Sequence, residues 1–168
     1  SGSIGTVAFD AATYDGDAVT INADVGALTA STVDTDITVN GNLGSFTADH
    51  VTGDLTGGGN LTTFDVDLME GNIYGSSGDN TINAGDNGET VEAGAGDDTV
   101  TGGVGDDTLD GGAGDDVLTG GAGDDTIIAG GGSDTLSGGD GDDTFVVADA
   151  VDGDVIAING GDGADHVD

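Results

Sequence analysis

Six aspartates recur at intervals of nine residues, Asp98, Asp107, Asp116, Asp125, Asp134 and Asp143, each closing a short glycine-rich stretch. Asn80 and Glu89 hold the same place in the two preceding units, and Asp165 holds it near the end of the sequence. Glycines fall at two fixed places before each aspartate: Gly94 and Gly96, Gly103 and Gly105, Gly112 and Gly114, Gly121 and Gly123, Gly130 and Gly132, Gly139 and Gly141. A flexible glycine loop can turn backbone carbonyls inward, and the aspartate adds a carboxylate, so the ligands on offer are all oxygens. Such a set suits a hard cation. Cysteine is absent, and the only two histidines, His50 and His166, are expected as exposed turn or strand residues.

A second register of the same period must carry these loops. From Val19 every ninth residue is apolar: Leu28, Ile37, Phe46, Leu55, Phe64, Ile73, Ile82, Val91, Val100, Leu109, Leu118, Ile127, Leu136 and Phe145 follow without a break. With 35% of residues hydrophobic, chance gives such a run roughly once in 10⁷ for any one phase. A nine-residue period buries one side chain per half turn, and two half turns of strand and turn close one coil of a solenoid. At about 4.8 Å per stacked coil the chain makes roughly nine coils and a rod of about 45 Å around a narrow aliphatic core. The expected fold is all-β: a right-handed parallel β-helix continuing into a β-roll as one solenoid.

The place two residues before each apolar position divides the chain. It holds Gly26, Thr35, Gly44, Gly53, Thr62 and Gly71, none with a carboxylate, and becomes a ligand position only from Asn80. Residues 1–74 are therefore expected as a β-helix scaffold and 75–168 as the ligand-bearing roll. Within the scaffold an 18-residue repeat aligns Val25, Leu43 and Leu61; Leu28, Phe46 and Phe64; Val33, Val51 and Met69; and Ile37, Leu55 and Ile73. These are inward ladders of short β-rich strands. Phe9, Tyr14 and Ile21 are expected in the core or at the edge of an irregular first coil. After Phe145 a four-residue insertion, 147–150, shifts the phase before Ile158 and Val167 restore it.

Charge bounds the partners. Thirty-four acidic residues face no lysine or arginine, a formal net charge of −34. Contact with nucleic acid or an anionic membrane surface needs cations that this chain lacks. An acidic, glycine-rich chain would ordinarily be disordered, but the unbroken apolar register argues for a fold conditional on a cation from solution. No apolar run approaches the length of a membrane span, and the chain opens without a positively charged signal region.

The units AGAGDDTVT (93–101), GGVGDDTLD (102–110), GGAGDDVLT (111–119), GGAGDDTII (120–128), AGGGSDTLS (129–137) and GGDGDDTFV (138–146) resemble the calcium-binding nonapeptide repeat of repeats-in-toxin proteins, GGxGxDxUx with U a large apolar residue. GSSGDNTIN (75–83) and AGDNGETVE (84–92) are degraded versions, and GGDGADHVD (160–168) is a further unit. The resemblance covers about half the chain and implies several bound Ca²⁺, each between units i and i+2, along two edge columns. One column pairs Asp98 with Asp116 and Asp116 with Asp134; the other pairs Asp107 with Asp125 and Asp125 with Asp143. Asn80 and Glu89 extend each column by one weaker site, while Asp97, Asp106, Asp115, Asp124 and Asp142 point outward. Two carboxylates about 4 Å apart at an effective dielectric near 20 repel by roughly 4 kcal/mol, so several such pairs should unfold the metal-free roll. Members of this family are typically exported unfolded and fold outside the cell, which implies an extracellular or cell-surface address.

Rival functions lack their residues. There is no HExxH zinc motif and no GxSxG elbow, a lyase relying on Arg or Lys is excluded by composition, and no acidic pair stands out for glycoside hydrolysis, so no enzyme is expected. A threonine row (Thr81, Thr90, Thr99, Thr108, Thr126, Thr135, Thr144) raises ice or mineral contact, but threonine suits strands and the adjacent acidic loops would hydrate that face. Two readings remain. One is an extracellular structural protein, a filament, surface layer or adhesin stalk, whose near-consensus last unit ending at Asp168 offers an open coil for head-to-tail self-assembly, with Asp165 in a shared site and Ca²⁺ bridging to cell-surface polysaccharide. The alternative is an accessory calcium module of a secreted enzyme, toxin or large adhesin.

Overall fold

Most half turns of nine residues hold three to six extended residues followed by a bend, and this alternation sets the architecture. The computed structural model describes residues 4–9, 19–22, 24–33, 36–51, 53–57, 64–66, 71–147 and 153–168. Among them lie eighteen strands and no helix, from β1 (Ile4–Phe9) to β18 (His166–Val167). Odd-numbered strands form one nine-stranded sheet and even-numbered strands the other, every pairing parallel. Successive strands thus lie in opposite sheets, the topology of a parallel β-solenoid.

The apolar register is the core. Every ninth residue from Leu28 to Phe145 is at most 2% exposed. Leu28, Phe46, Phe64, Ile82, Val100, Leu118 and Leu136 stack in one sheet; Ile37, Leu55, Ile73, Val91, Leu109, Ile127 and Phe145 stack in the other. The scaffold ladders form as the repeat predicts, with Val25 bridged to Leu43 and Val33 paired with Val51; Leu61, Met69 and Tyr14 lie outside the described residues. Phe46 and Phe64 stack with ring centroids 5.3 Å apart and planes 6° from parallel. Phe64→Ala should cost about 3–5 kcal/mol, read as a lower urea midpoint in calcium-containing buffer.

The first coil is irregular in a defined way. β1 pairs with β3 (Val25–Val33) at an interval of 21 residues, placing Val7 opposite Leu28 and Phe9 opposite Ala30. Three residues beyond the usual 18 hide this ladder from a nine-residue register. Ile21 packs partly buried against the core. At the other end Leu136 pairs with Ile158 and Phe145 with Val167, intervals of 22 that carry the four extra residues. Ile158 and Val167 regain the register but remain 38% and 51% exposed. The threonines divide between the sheets: Thr81, Thr99 and Thr135 are exposed on one, while Thr90, Thr108, Thr126 and Thr144 are half-buried on the other. They do not form one row.

Candidate metal centre

The strands that carry the site are β9 (Thr81–Gly85), β11 (Thr99–Val104), β13 (Val117–Ala122), β15 (Thr135–Asp140) and β17 (Ala157–Asp162) in one sheet. β10 (Thr90–Ala95), β12 (Thr108–Ala113), β14 (Thr126–Ile128) and β16 (Thr144–Val146) carry it in the other. Each inner aspartate stands two residues before the apolar anchor, at the bend that leads into its strand. Exact stacking of the coils then lines these aspartates up into two columns. Asp98, Asp107, Asp116, Asp125, Asp134 and Asp143 are each 1% exposed, and Asn80 and Glu89 are 2% exposed.

Main-chain hydrogen bonds hold one oxygen of each carboxylate. In the first column Asn80 N–H donates to Asp98 Oδ1 at 2.7 Å, Asp98 N–H to Asp116 Oδ1 at 2.8 Å and Asp116 N–H to Asp134 Oδ1 at 2.9 Å. In the second, Glu89 N–H donates to Asp107 Oδ1 at 2.7 Å, Asp107 N–H to Asp125 Oδ1 at 2.8 Å and Asp125 N–H to Asp143 Oδ1 at 2.9 Å. Asp143 N–H reaches Asp165 Oδ1 at 3.2 Å, so Asp165 continues the second column across the insertion although its coil is exposed. The pairs expected from the sequence are all brought together.

The other oxygen of each carboxylate is left over. Oδ2 of Asp98, Asp107, Asp116, Asp125, Asp134 and Asp143, and Oε2 of Glu89, are buried without a hydrogen-bond partner. Seven orphaned acidic oxygens in two rows are too costly for a finished interior, because a buried charge needs pairing or a metal. Burial first, and the neighbouring carboxylates after it, push the Asp116 and Asp125 carboxyls up to about 6. Asp98, Asp107, Asp134 and Asp143 are also raised, chiefly by burial. Glu89 is pushed up to about 8 by burial first and then by the neighbouring Asp107 carboxylate. A divalent cation on the free oxygens would relieve all of these costs together, and the donor set fits one. Among the described residues no three acidic or imidazole side chains converge on one point, so a bound ion would complete its shell with backbone carbonyls, as hard cations do.

The glycines make those bends possible. At both places in the six units, from Gly94 to Gly141, φ is positive, between 84° and 140°. At Gly121, with φ of 131°, a Cβ would in addition overlap the Gly103 carbonyl oxygen of the preceding coil. Gly121→Ala should therefore destabilise the calcium-loaded roll by more than the roughly 1 kcal/mol of an ordinary left-handed residue, measured as the shift in thermal midpoint. Sequence reasoning missed the glycines one place earlier. A Cβ on Gly102, Gly120 or Gly138 would meet Oδ2 of Asp107, Asp125 or Asp143. The signal was the doubled glycine of those units; Ala93 and Ala129 replace it in two others.

Asp97, Asp106, Asp115, Asp124 and Asp142 are exposed, as expected. They form ladders of their own in the opposite sense. Asp115 N–H donates to Asp97 Oδ1 and Ser133 N–H to Asp115 Oδ1, at 3.0 and 2.8 Å; Asp124 N–H donates to Asp106 and Asp142 N–H to Asp124, each at 2.9 Å. Outer carboxylates thus cap the following coil and inner ones the preceding coil. The first inner column stops after Asp134, because the insertion puts Ile156, packed against the core, where the next aspartate would stand. His166 is exposed and its Nε2 lies 2.7 Å from Asp168 Oδ1.

Residues 71–90, 83–118 and 110–145 match the family described as RTX calcium-binding nonapeptide repeat (4 copies). Neither a curated protein nor a solved structure matches the chain. The matched segments bring both inner columns from Asn80 to Asp143 inside the family pattern and leave residues 1–70 outside it. Residues 71–145 thus carry RTX calcium-binding nonapeptide repeats, stacked as coils of the solenoid.

Proposed function

We propose that the chain is an extracellular structural protein that folds when Ca²⁺ enters the two inner columns, and that copies of it assemble end to end. The observation that carries the calcium part is the double row of buried, unpartnered carboxylate oxygens in a chain without one lysine or arginine. Only an ion from outside can balance them. Calcium concentrations high enough for loops of this type are extracellular, and RTX repeats are typical of secreted proteins. Binding energy then becomes folding energy, so the repeat half stays unfolded where calcium is scarce.

A structural role is favoured by what the solenoid does with its side chains. The described residues are spent on ladders that repeat from coil to coil, and no reaction is part of this reading. Assembly is supported by the stacking itself: both sheets are built coil on coil from parallel strands in register, so a coil of another copy can extend them in the same way. A heterologous contact of that kind propagates into a filament. The outward aspartates, including Asp97 and Asp115, supply a surface that Ca²⁺ can bridge to an acidic cell-surface polysaccharide; nucleic acid and direct membrane contact are excluded by the same charge. Electron microscopy of the full chain in millimolar Ca²⁺, and again after chelation, tests the proposal. Calcium-dependent filaments or sheets are expected; monomers at every concentration would overturn self-assembly in favour of an accessory calcium module.

A further inference from the structure

The loop that opens the calcium-binding half is built differently from those that follow. It links β8 (Asn72–Ser76) to β9 and ends at Asn80, which occupies the inner place of the first column. Where each aspartate leaves one oxygen orphaned, Asn80 leaves nothing. Its Oδ1 accepts from Ser76 N–H at 2.9 Å and from Ser76 Oγ at 3.4 Å. Its Nδ2 donates to Ser76 Oγ at 3.0 Å and to the Gly78 carbonyl at 2.6 Å, and its backbone N–H donates to Asp98 Oδ1 at 2.7 Å. Ser76 is itself buried and is the residue that makes this possible: the later units of the same column have Gly94, Gly112 and Gly130 at its place, without a hydroxyl.

We propose that Asn80 is a metal-free lock, its carboxamide N–H₂ bonding the loop carbonyl and hydroxyl so that this coil closes without a cation. The inference rests on the reading of the aspartate columns as Ca²⁺ sites. An amide is a neutral donor and acceptor together, so it satisfies a carbonyl and a backbone N–H at once; a carboxylate is an acceptor only and cannot bond the Gly78 carbonyl without a proton or an ion. The exchange of one oxygen for one nitrogen therefore removes both the charge and the need for metal. The second column begins in the opposite way, since Glu89 keeps a buried, unpartnered Oε2. The coil around Asn80 is then the last that folds without calcium on its side. Its strand β9 gives β11, and with it Asp98, a ready edge in the correct register. A seam of this kind lets the scaffold hold the start of the roll before calcium arrives, lowering the loop-closure cost of the first calcium-dependent coil.

Hydrogen exchange of the full chain with and without Ca²⁺, together with ion counting by native mass spectrometry, tests this on the wild type and on Asn80→Asp. Without calcium the wild type should protect amides of β8 and β9 while those of β11 to β16 exchange freely. Asn80→Asp should lose that protection by about 10–100-fold, the equilibrium equivalent of one unpaired buried polar group, recover it in calcium and bind one Ca²⁺ more than the wild type. The lock is overturned if Asn80→Asp matches the wild type in both protection and ion count. It is also overturned if wild-type β8 and β9 exchange as fast as β11 to β16 in chelator. A wild type that binds no Ca²⁺ would instead refute the calcium reading itself.

Discussion

Asp116→Ala should raise the calcium concentration needed to fold the chain by about 10–100-fold. Asp116 stands in the middle of the first column, 1% exposed, and borders two levels at once. Its Oδ1 accepts from Asp98 N–H, and its own N–H donates to Asp134 Oδ1. Removal strands the Asp98 amide in a buried place, a loss of about 1–3 kcal/mol, which converts to that range of binding constant at 1.4 kcal/mol per tenfold. It also takes a carboxylate from the ion positions above and below. The neighbouring Asp115→Ala is the control: this carboxylate is exposed and caps Ser133 from outside, so a change of at most about twofold, the effect of an ordinary surface substitution, is expected. Calcium titrations followed by far-ultraviolet circular dichroism measure both. Equal shifts for the two variants would mean that inner and outer aspartates are not functionally distinct.

Protons should partly replace calcium. The inner carboxyls titrate higher in the folded chain than in the unfolded one, Asp116 and Asp125 at about 6 against an ordinary 3.8, because burial and neighbouring carboxylates disfavour their charged forms. The folded metal-free roll therefore binds more protons than the unfolded chain between those values. Its stability is fully present below the unfolded pKa and is lost as pH rises through about 6; for Glu89 the corresponding loss extends to about 8. Calcium-depleted chain should accordingly show more strand signal at pH 5 than at pH 7.5. With calcium present the sign reverses at the sites, since protons compete for the same oxygens, and the calcium midpoint should rise as pH falls below 6. A calcium-free chain with equal or greater strand content at pH 7.5 would contradict the burial of these carboxylates.

The core was legible in the sequence because, from Ile82 to Phe145, each half turn buries a single large apolar side chain. No other residue can stand in for Leu109 or Ile127, so the nine-residue period survives unblurred and each anchor is buried as expected. The columns followed from the same period, since residues that repeat in phase with a ladder must themselves stack. The direction of the hydrogen bonds was not legible. Asp97 and Asp98 are the same residue type in adjacent places, yet the first accepts from the coil that follows it and the second from the coil that precedes it. Strand direction and bend geometry decide that. The first coil escaped the register because its interval is 21 residues, and no motif marks the added length. Asn80 looked like a weakened aspartate; its distinct role depends on Ser76, four residues earlier, and on a carbonyl that no sequence pattern locates.

The central claim is that calcium and fold are one equilibrium in the repeat half. Circular dichroism of the full chain at pH 7.5, in millimolar Ca²⁺ and then with excess chelator, tests it most directly. The expected result is a β-rich spectrum that collapses toward disorder on chelation, leaving the smaller strand signal of the scaffold, and that returns when calcium is restored. A β-rich spectrum unchanged by chelation would contradict it, because the seven buried oxygens would then be tolerated without any cation.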